Sequence, residues 1–449
     1  MVRRAKLSGS AVRVLSLFGC HRIDAEYYQP FYEENEAVVT RFPSTKKLGD
    51  IAVKFAKGIF EISADEYATE GVPFIRISNL RDAIIDDSDM VFITPERHKR
   101  EAKTALRKYD LILSKTAYPA ASLVQLDACN TSQDTIAVRT SLSEDFNCYL
   151  AIYLNTRFGL LQMRRLLQGN VQMHLALSDA RTVTIPIPDA AFQAKIRHIV
   201  ERSFQKREQS KEHYAQAQAL LTAELGLDWL DLSEGLHSVR RASEAAQAGR
   251  IDAEYFQPKY QRAMEIMERS GKCVQDVAHL AKRRFSPQSG RPFQYIEIGD
   301  LGSGGHAESN TVLGEEAPSR AQWIVRTGDV ITSTVRPIRR LSALIEPEQD
   351  GYVCSSGFVV LEPKEIGPEL LLLYLRLPIV CEILDLYTTA TMYPAVSTAD
   401  LLNIPIALPE DEACREMVDK VKASRQARRE AKRLLAEAKA EVERMIEEA

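Results

Sequence analysis

The nonapeptide "RIDAEYYQP" at residues 22–30 returns as "RIDAEYFQP" at residues 250–258. The copies start 228 residues apart and differ at one position, where Tyr28 in the first is Phe256 in the second. Similarity between distant parts of one chain indicates an internal repeat, which has to be recognised before any fold is assigned. The fold is therefore decided by what else repeats along with this nonapeptide.

The repeat extends along the chain, and its segments keep the same order in both halves. "PFIRISNL" from residue 73 matches "QYIEIGDL" from residue 294, and "KYDLILSKT" from residue 108 matches "RTGDVITST" from residue 326. "VTIPIP" from residue 183 matches "LNIPIALP" from residue 402. Short apolar runs bounded by Gly, Asp and Pro are typical of strands. The sequence therefore predicts a tandem duplication of one unit that contains several short strands.

An apolar helix follows the strands in each half. We predict one helix over residues 148–168 and its counterpart over residues 368–387, which includes the run "LLLLYLRL". A membrane span needs about 20 apolar residues. This run is shorter, carries Arg376 and is followed by Pro378, so we expect a buried core helix. Each half is thus predicted to be an α+β domain.

A long helix without internal Pro or Gly ends each half, over residues 189–225 and 411–449. Apolar and small residues step by three and four, which predicts a heptad seam. In the first helix the predicted seam extends to Glu224, and in the second it has one polar break at Arg428. We expect the two helices to pair as an antiparallel coiled coil. Packing of each helix on its own domain, and helices reserved for another chain, remain alternatives.

The predicted fold class is α+β: two tandem-duplicated α+β domains separated by two long helices that pair as an antiparallel coiled coil. The predicted boundaries are 1–188 for the first domain with a lead-in at 1–21, 189–226 for the first helix, 227–249 for a linker, 250–409 for the second domain and 410–449 for the second helix.

Composition bounds the location and the general class of the protein. Hydrophobic residues are 45% and charged residues 27%, with 58 Lys+Arg against 62 Asp+Glu and a formal net charge of -4. This composition is typical of globular domains. The seven cysteines are scattered, which favours reduced thiols in the cytoplasm. We therefore expect a cytoplasmic protein with no membrane segment and no metal site.

Motifs for catalysis are missing from the sequence. It contains no phosphate-binding Gly-x-x-x-x-Gly-Lys-Ser/Thr loop, no Gly-x-Ser-x-Gly elbow and no His-Glu-x-x-His pair. It also lacks the Asn/Asp-Pro-Pro-aromatic tetrapeptide of amino-methyltransferases. We therefore expect a protein of recognition or assembly, with no catalytic residues and no cofactor of its own.

Three loops in each half combine cations with side chains that form hydrogen bonds. Lys and Arg neutralise phosphates, while Arg, Asn, Gln and Lys can also bond base edges. Any one such loop could simply be solvated, but the recurrence at equivalent places predicts DNA contact. The predicted DNA-binding residues of the first half are Lys54, Lys57, Ser114, Lys115, Thr116, Gln168, Asn170, Gln172 and His174. Those of the second half are Lys282, Arg283, Arg284, Thr334, Arg336, Arg339, Arg340, Thr388, Thr391 and Tyr393.

The repeated segments resemble the specificity subunits of Type I restriction–modification systems. The resemblance is carried by the two nonapeptides, by "IRISNL" and "IEIGDL" with the strands after them, and by "IPIPDAAFQAKI" at residues 185–196. The second half keeps the Ile-Pro start but has no Gln at the place of Gln193. The resemblance covers essentially the whole chain.

The resemblance implies a function and partners. Two target-recognition domains would each recognise one half of a split target in double-stranded DNA, and the paired helices would fix the spacing. The chain would position methyltransferase subunits, expected to be two, and restriction/translocase subunits. S-adenosylmethionine and ATP would bind those partners and not this chain. A duplicated scaffold that joins partners without binding DNA is the alternative, and a catalytic methyltransferase is a more distant one.

The nonapeptide itself is interpreted as part of the frame. A segment that recognises bases should differ between two domains with different targets, and this one barely differs. We expect its aromatic side chains to pack each recognition domain.

Overall fold

The computed structural model describes residues 22, 24–87, 89–116, 120–169, 173–231, 233, 237–302, 304–389 and 394–449. They form two compact units. Unit 1 comprises the described residues up to Lys206 together with Arg429–Ala449, and unit 2 comprises Arg207–Arg428. Both units mix helices with antiparallel and mixed sheets, so the predicted α+β class is confirmed. Across the described residues, the structure holds no helix long and apolar enough to cross a membrane.

Unit 1 contains twelve strands and six shorter helices among its described residues. The strands are β1 (Thr45–Lys47), β2 (Ala52–Lys57), β3 (Tyr67–Ala68), β4 (Val72–Ile75), β5 (Val91–Ile93), β6 (Leu111–Ser114), β7 (Ala121–Leu123), β8 (Asn130–Thr131), β9 (Thr135–Thr140), β10 (Leu167–Gln168), β11 (His174–Leu175) and β12 (Thr184–Pro186). The helices are α1 (Pro30–Arg41), α2 (Leu48–Ile51), α3 (Pro95–Arg100), α4 (Glu144–Leu154), α5 (Arg157–Arg165) and α6 (Leu177–Ala180).

The strands of unit 1 form two four-stranded sheets and two small strand pairs. The first sheet has the order β2-β9-β6-β7 and is antiparallel throughout. The second has the order β3-β5-β4-β8, with β4 and β8 parallel. β1 pairs with β12, and β10 pairs with β11. Helix α7 (Ala190–Glu224) follows β12.

Unit 2 repeats this plan. Its shorter helices are α8 (Ala242–Ala248), α9 (Pro258–Met267), α10 (Val274–Val277), α11 (Pro368–Leu375), α12 (Pro378–Leu386) and α13 (Thr398–Asn403). Its strands are β13 (Ala278–Leu280), β14 (Pro292–Ile296), β15 (Asn310–Leu313), β16 (Ala321–Ile324), β17 (Val330–Ser333), β18 (Ser342–Leu344), β19 (Val353–Ser355) and β20 (Phe358–Pro363). Helix α14 (Asp411–Glu447) follows.

The antiparallel sheet of unit 2 matches that of unit 1 in order and direction, and three strands of the second sheet match as well. The fourth strand of the second sheet differs: β3 pairs with β5 in unit 1, whereas β16 pairs with β19 in unit 2. The antiparallel sheet β13-β20-β17-β18 corresponds to β2-β9-β6-β7. In the sheet β15-β14-β19-β16, strands β14 and β19 are parallel, as β4 and β8 are in unit 1. The repeat in the sequence is therefore a repeat in topology.

Each predicted apolar helix is in fact two helices. In unit 1 the chain breaks between α4 and α5, because Thr156 caps α5 by accepting a hydrogen bond from the Gly159 amide. In unit 2 Pro378 begins α12, and a proline at the first turn starts a new helix more readily than it continues an old one. The single-helix prediction was wrong at these positions, although the leucines of α11 are buried as expected.

The long helices pair antiparallel inside each unit. In unit 1, Ser203 Oγ donates to the Ala431 carbonyl at 2.9 Å, and Lys195 forms an ion pair with Glu441 at 2.8 Å. In unit 2, Ser424 Oγ donates to the Ser210 carbonyl at 2.7 Å. Residue numbers rise along α7 as those of its partners fall along α14, so the predicted antiparallel pairing is confirmed within each unit.

The buried seam differs from the predicted one at two places. Glu224 is exposed, and Leu225 takes its place in the core. On α14 the small residue Ala427 is buried, while Arg428 is half-buried. Both predicted positions were wrong by one residue: the buried residue comes one position later on α7 and one position earlier on α14.

The domain boundaries predicted from the sequence stay predictions. The limits of the compact units fall inside α7 and α14, since each long helix packs partly on one unit and partly on the other.

Candidate nucleic-acid interface

The two nonapeptides adopt the same local structure. Arg22 pairs with Asp24 through bonds of 2.8 and 2.9 Å, and Arg250 pairs with Asp252 through bonds of 2.8 and 3.0 Å. Each aspartate also accepts the amide of the residue three positions later at 3.1 Å. These bonds hold the pKa of Asp24 and of Asp252 below its ordinary value.

The aromatic residues of the nonapeptide pack into their own units. Tyr28 and Phe256, the one pair that differs, are both buried. Each guanidinium lies over the neighbouring tyrosine ring, Arg22 over Tyr27 at 4.8 Å and Arg250 over Tyr255 at 4.5 Å. The same local geometry in both units, with a buried aromatic ring in each, is what a frame element requires.

Three predicted loops of unit 1 meet at one place. Thr116 forms a β-bridge with His174, and the Leu175 amide donates to the Lys115 carbonyl at 2.7 Å. Lys57, at the end of β2, lies close enough to Lys115 to contribute to its lowered pKa, although burial is the larger cause. We call Lys57, Lys115, Thr116, Gln168 and His174 the unit 1 loop cluster.

Two further side chains extend this cluster outward. Phe60 is 64% exposed, and the Lys57 ammonium lies 4.9 Å from its ring centre. Met173 is 38% exposed and precedes His174. An apolar group beside cations suits a surface that meets both phosphates and the methyl groups or faces of bases.

Other predicted residues of unit 1 already bond their own unit. Lys54 Nζ donates to the carbonyls of Ala102 at 2.9 Å and Ala105 at 2.6 Å, and burial lowers its pKa. Ser114 is buried within β6. Gln168 is exposed and donates to Asp179 at 2.6 Å.

Unit 2 joins the equivalent loops in the same way. Val335 forms a β-bridge with Ala395, which also bridges Thr389. The Val396 amide donates to the Thr334 carbonyl at 2.9 Å, and the Arg336 amide donates to the Pro394 carbonyl at 2.8 Å. The loop after β17 therefore rests on the loop after α12, just as the loop after β6 rests on β11 in unit 1.

Residues 336–340 form what we call the arginine turn. Arg336 and Arg340 both have left-handed backbone angles, with φ of 50° and 56°. Left-handed non-glycine residues carry strain and concentrate at functional sites. Between them Pro337 is buried and Ile338 is 50% exposed. Arg336, Arg339 and Arg340 are all exposed. The turn thus presents three arginines and one isoleucine at the surface.

The remaining predicted residues of unit 2 are either exposed or already bonded within the unit. Lys282 and Arg284 are exposed, and Thr388 Oγ1 donates to the Asp385 carbonyl at 2.7 Å. Arg283 instead pairs with Asp329 and, at 3.1 Å, with Glu362. Its charge is therefore already matched by two carboxylates of unit 2.

Four predicted DNA-binding residues lie outside the described residues: Asn170, Gln172, Thr391 and Tyr393.

Phe60, Met173 and Ile338 were missed as site residues. Each belongs to a loop with predicted DNA-binding residues, but the prediction was limited to cations and side chains that form hydrogen bonds. The signal was an apolar residue within three positions of a predicted cation, as in "KGIF" and "RPIRR".

The family comparison bears on the first half of the chain. Residues 44–217 match the model of the Type I restriction modification DNA specificity domain. This stretch is similar to the DNA specificity domains of Type I systems. The match includes the described members of the unit 1 loop cluster and most of α7, as far as residue 217, so the resemblance found in the sequence is confirmed.

A curated relative supports the same family. The Type I restriction enzyme HindI specificity subunit of Haemophilus influenzae is 23% identical over 150 residues, which is 32% of this chain and 32% of that subunit. The match thus spans about a third of the curated relative's length.

Solved specificity subunits align along most of the chain. The S subunit from M. genitalium is 11% identical, with 90% of this chain and 95% of that chain covered and a TM-score of 0.38. The HsdS subunit from Thermoanaerobacter tengcongensis is 16% identical, with 90% and 94% covered and a TM-score of 0.26. TM-scores this low carry no argument about the fold, so the fold described above is based on the helices and strands of this chain alone.

Proposed function

We propose that this chain is the specificity subunit of a Type I restriction–modification complex. Unit 1 and unit 2 each recognise one half of a bipartite target in double-stranded DNA. The chain positions methyltransferase subunits, two in number, and restriction/translocase subunits on that target. The proposal also places the chain in the cytoplasm, where these partners and the DNA would meet it.

One observation carries the proposal: equivalent loops meet at equivalent places in the two units, but with different side chains. The antiparallel sheet below them repeats in strand order, and the nonapeptide repeats almost residue for residue. Loops that vary on a constant frame are the usual arrangement of a binding surface. Two such surfaces in one chain suit two different half-sites.

The chemistry of the clusters supports nucleic acid as the ligand. Lys57 and Lys115 can neutralise phosphates as point charges. Arginines can instead bond the O6 and N7 atoms of guanine as a fork, and the arginine turn offers three of them. The formal net charge of -4 is no obstacle, because the local surface determines the contact.

Chemistry is left to partners in this proposal. Type I specificity subunits are non-catalytic, and the chain carries none of the catalytic motifs sought in its sequence. S-adenosylmethionine and ATP would be bound by the methyltransferase and restriction subunits.

The decisive experiment compares genomic adenine methylation in the source organism with and without the gene for this chain. We expect one bipartite motif to lose its methylation and to regain it when the gene is restored. Restoring the gene with Arg339→Ala should impair methylation of that motif, while the exposed control Lys46→Ala should restore it fully. An unchanged methylome would contradict the proposal.

Binding to DNA separates this function from the alternative of a duplicated scaffold. The chain, purified with its partner subunits, should lose affinity for the target duplex as salt rises, with a log–log slope of roughly −0.9 per phosphate contact. Binding that is absent, or that does not change with salt, would favour the scaffold.

A further inference from the structure

A buried arginine lies beneath the arginine turn of unit 2. Arg376 follows the last residue of α11 and is 5% exposed. Its Nη1 donates to the Arg340 carbonyl at 2.5 Å and to the Ser342 carbonyl at 3.0 Å. Both acceptors lie where the turn returns to the sheet, because Ser342 begins β18. Arg376 therefore holds the base of the turn.

The same guanidinium also bonds the long helix α7. Arg376 Nε donates to Tyr214 Oη at 2.8 Å, and the guanidinium carbon lies 5.6 Å from the centre of the Tyr214 ring. One turn further along α7, Gln218 Nε2 donates to the Arg376 carbonyl at 3.1 Å. Burial raises the pKa of Tyr214 above its ordinary value, which already lies well above neutral pH. The base of the turn is thus connected to α7 through one side chain.

Burying a guanidinium is costly unless its donors are bonded. A purely structural contact at this place could be apolar, since the surrounding leucines of α11 already fill the core of unit 2. The retained charge instead gives directed bonds, which fix a backbone more narrowly than apolar packing does. Base recognition needs such rigid support, because hydrogen bonds to base edges depend on position and angle.

Unit 1 holds the equivalent loop with a buried side chain that does not bond the long helix. Asn155 occupies the equivalent place after α4, where its Nδ2 donates to the Ala121 carbonyl at 2.6 Å and its Oδ1 accepts the Ala121 amide at 3.2 Å. The residue of α14 equivalent to Tyr214 is Leu435, whose side chain has no polar atom. The clamp on the loop is present in both units, while the bond from clamp to long helix belongs to unit 2.

We infer that Arg376 and Tyr214 are positioning residues that hold the arginine turn in the geometry needed to discriminate bases in the second half-site. The inference rests on the proposed function and goes beyond it, because neither residue lies on the surface that would meet DNA. It assigns specificity in unit 2 partly to a helix that bonds no base.

The test uses Tyr214→Phe in the full chain with its partner subunits. The ring remains, so packing is kept, while the acceptor for Arg376 Nε is lost. The target is first taken from the methylation map, and the second half-site is defined as the one weakened by Arg339→Ala. Discrimination is the ratio of affinities for the target duplex and for duplexes with one base pair changed. We expect it to fall roughly five- to tenfold in the second half-site, since an unsatisfied buried donor is costly, and to stay unchanged in the first.

Tyr374→Phe is the matched control. Tyr374 belongs to the same unit and is also buried, and its hydroxyl donates to the Pro405 carbonyl at 2.7 Å, away from the turn. It should lower the melting temperature about as much as Tyr214→Phe does, but leave discrimination intact. Arg376→Lys serves if Tyr214→Phe does not fold. It keeps the charge but cannot bond three acceptors in the same geometry, so it should also lose discrimination in the second half-site.

The outcomes separate the inference from the function on which it rests. If the wild-type complex discriminates both half-sites and Tyr214→Phe changes neither, the inference is overturned while the proposed function stands. Equal losses from Tyr214→Phe and Tyr374→Phe would reduce the effect to stability and overturn it as well. If the wild-type complex discriminates no half-site, the proposed function itself fails.

Discussion

The loop clusters of the two units differ more than the frames that hold them. In unit 1 the cations stand apart on separate segments, Lys57 at the end of one strand and Lys115 after another, with Phe60 near Lys57. In unit 2 three arginines share one five-residue turn with strained ends. The same frame thus carries separate ammonium groups in unit 1 and three guanidinium groups close together in unit 2.

This difference indicates which parts of the chain can change DNA specificity without destabilising the fold. Both units keep the strand order of the antiparallel sheet, the nonapeptide and a buried clamp after α4 or α11. The loops that they support need to keep only the residues at which they join the frame. Lysine and arginine are not interchangeable at such places, because an ammonium tolerates many geometries and a guanidinium fork tolerates few.

The largest effect is expected from breaking the helix pair in one unit at a time. Val442 and Leu221 occupy equivalent places in α14 and α7, and both are fully buried, in unit 1 and unit 2 respectively. A buried aspartate in either place should destabilise its own unit by about 4 kcal/mol or more. Both tryptophans, Trp229 and Trp323, lie in unit 2. Fluorescence therefore follows unit 2, while far-ultraviolet circular dichroism follows both units.

Thermal unfolding followed by both fluorescence and circular dichroism compares the two variants. Val442→Asp should lower the transition seen by circular dichroism more than the one seen by fluorescence, and Leu221→Asp should lower the fluorescence transition directly. The exposed Glu224→Ala is the control. Equal shifts in both probes for both variants would show that the two units unfold as one.

An intermediate effect is expected from removing one cation of each cluster. Lys115→Ala should weaken binding through the first half-site, and Arg339→Ala through the second, each by roughly 1–3 kcal/mol if the side chain bonds a base and less if it bonds a phosphate. Fluorescence anisotropy with duplexes altered in one half-site measures this. A phosphate contact would also lower the salt slope by about 1. If both variants weakened both half-sites equally at fixed salt, the assignment of one unit to one half-site would be wrong.

The smallest effect is expected from the paired serines. Ser203 and Ser424 are equivalent residues, and each donates from a buried side chain to a carbonyl of the opposite helix. Alanine at either place should cost about 0.5–1.5 kcal/mol. In urea unfolding the double variant should equal the sum of the single ones within about 0.5 kcal/mol. A clear excess would reveal coupling between the two ends of the helix pair.

Much of the architecture could be predicted from the repeat and from local patterns. Short apolar runs gave strands β4, β6, β14 and β17 at their observed places, and the long gap-free segments gave α7 and α14. The break between α11 and α12 was also written in the sequence as Pro378, but the continuous apolar run outweighed it. Helix ends depend on a few capping bonds, which a hydrophobic pattern does not display.

The surroundings of site residues were harder to predict. Lys54 and Arg283 looked like their neighbours in sequence, yet the carbonyls that bond Lys54 and the carboxylates that bond Arg283 lie in segments 46 to 79 residues away. Tertiary contacts of that kind leave no local trace. The clamp by Arg376 is another case, because its partners Tyr214 and Ser342 come from distant parts of the chain.

The division of unit 1 into two stretches of chain has a consequence during synthesis. Val442 and Ile446 belong to the core formed by residues that leave the ribosome long before them. More than 200 residues of unit 2 are translated in between, which takes on the order of 10–45 s at about 5–20 residues per second. For that time the newborn first unit holds an open apolar seam on α7. Translation that stops early would thus leave this seam uncovered for chaperones and proteases to find.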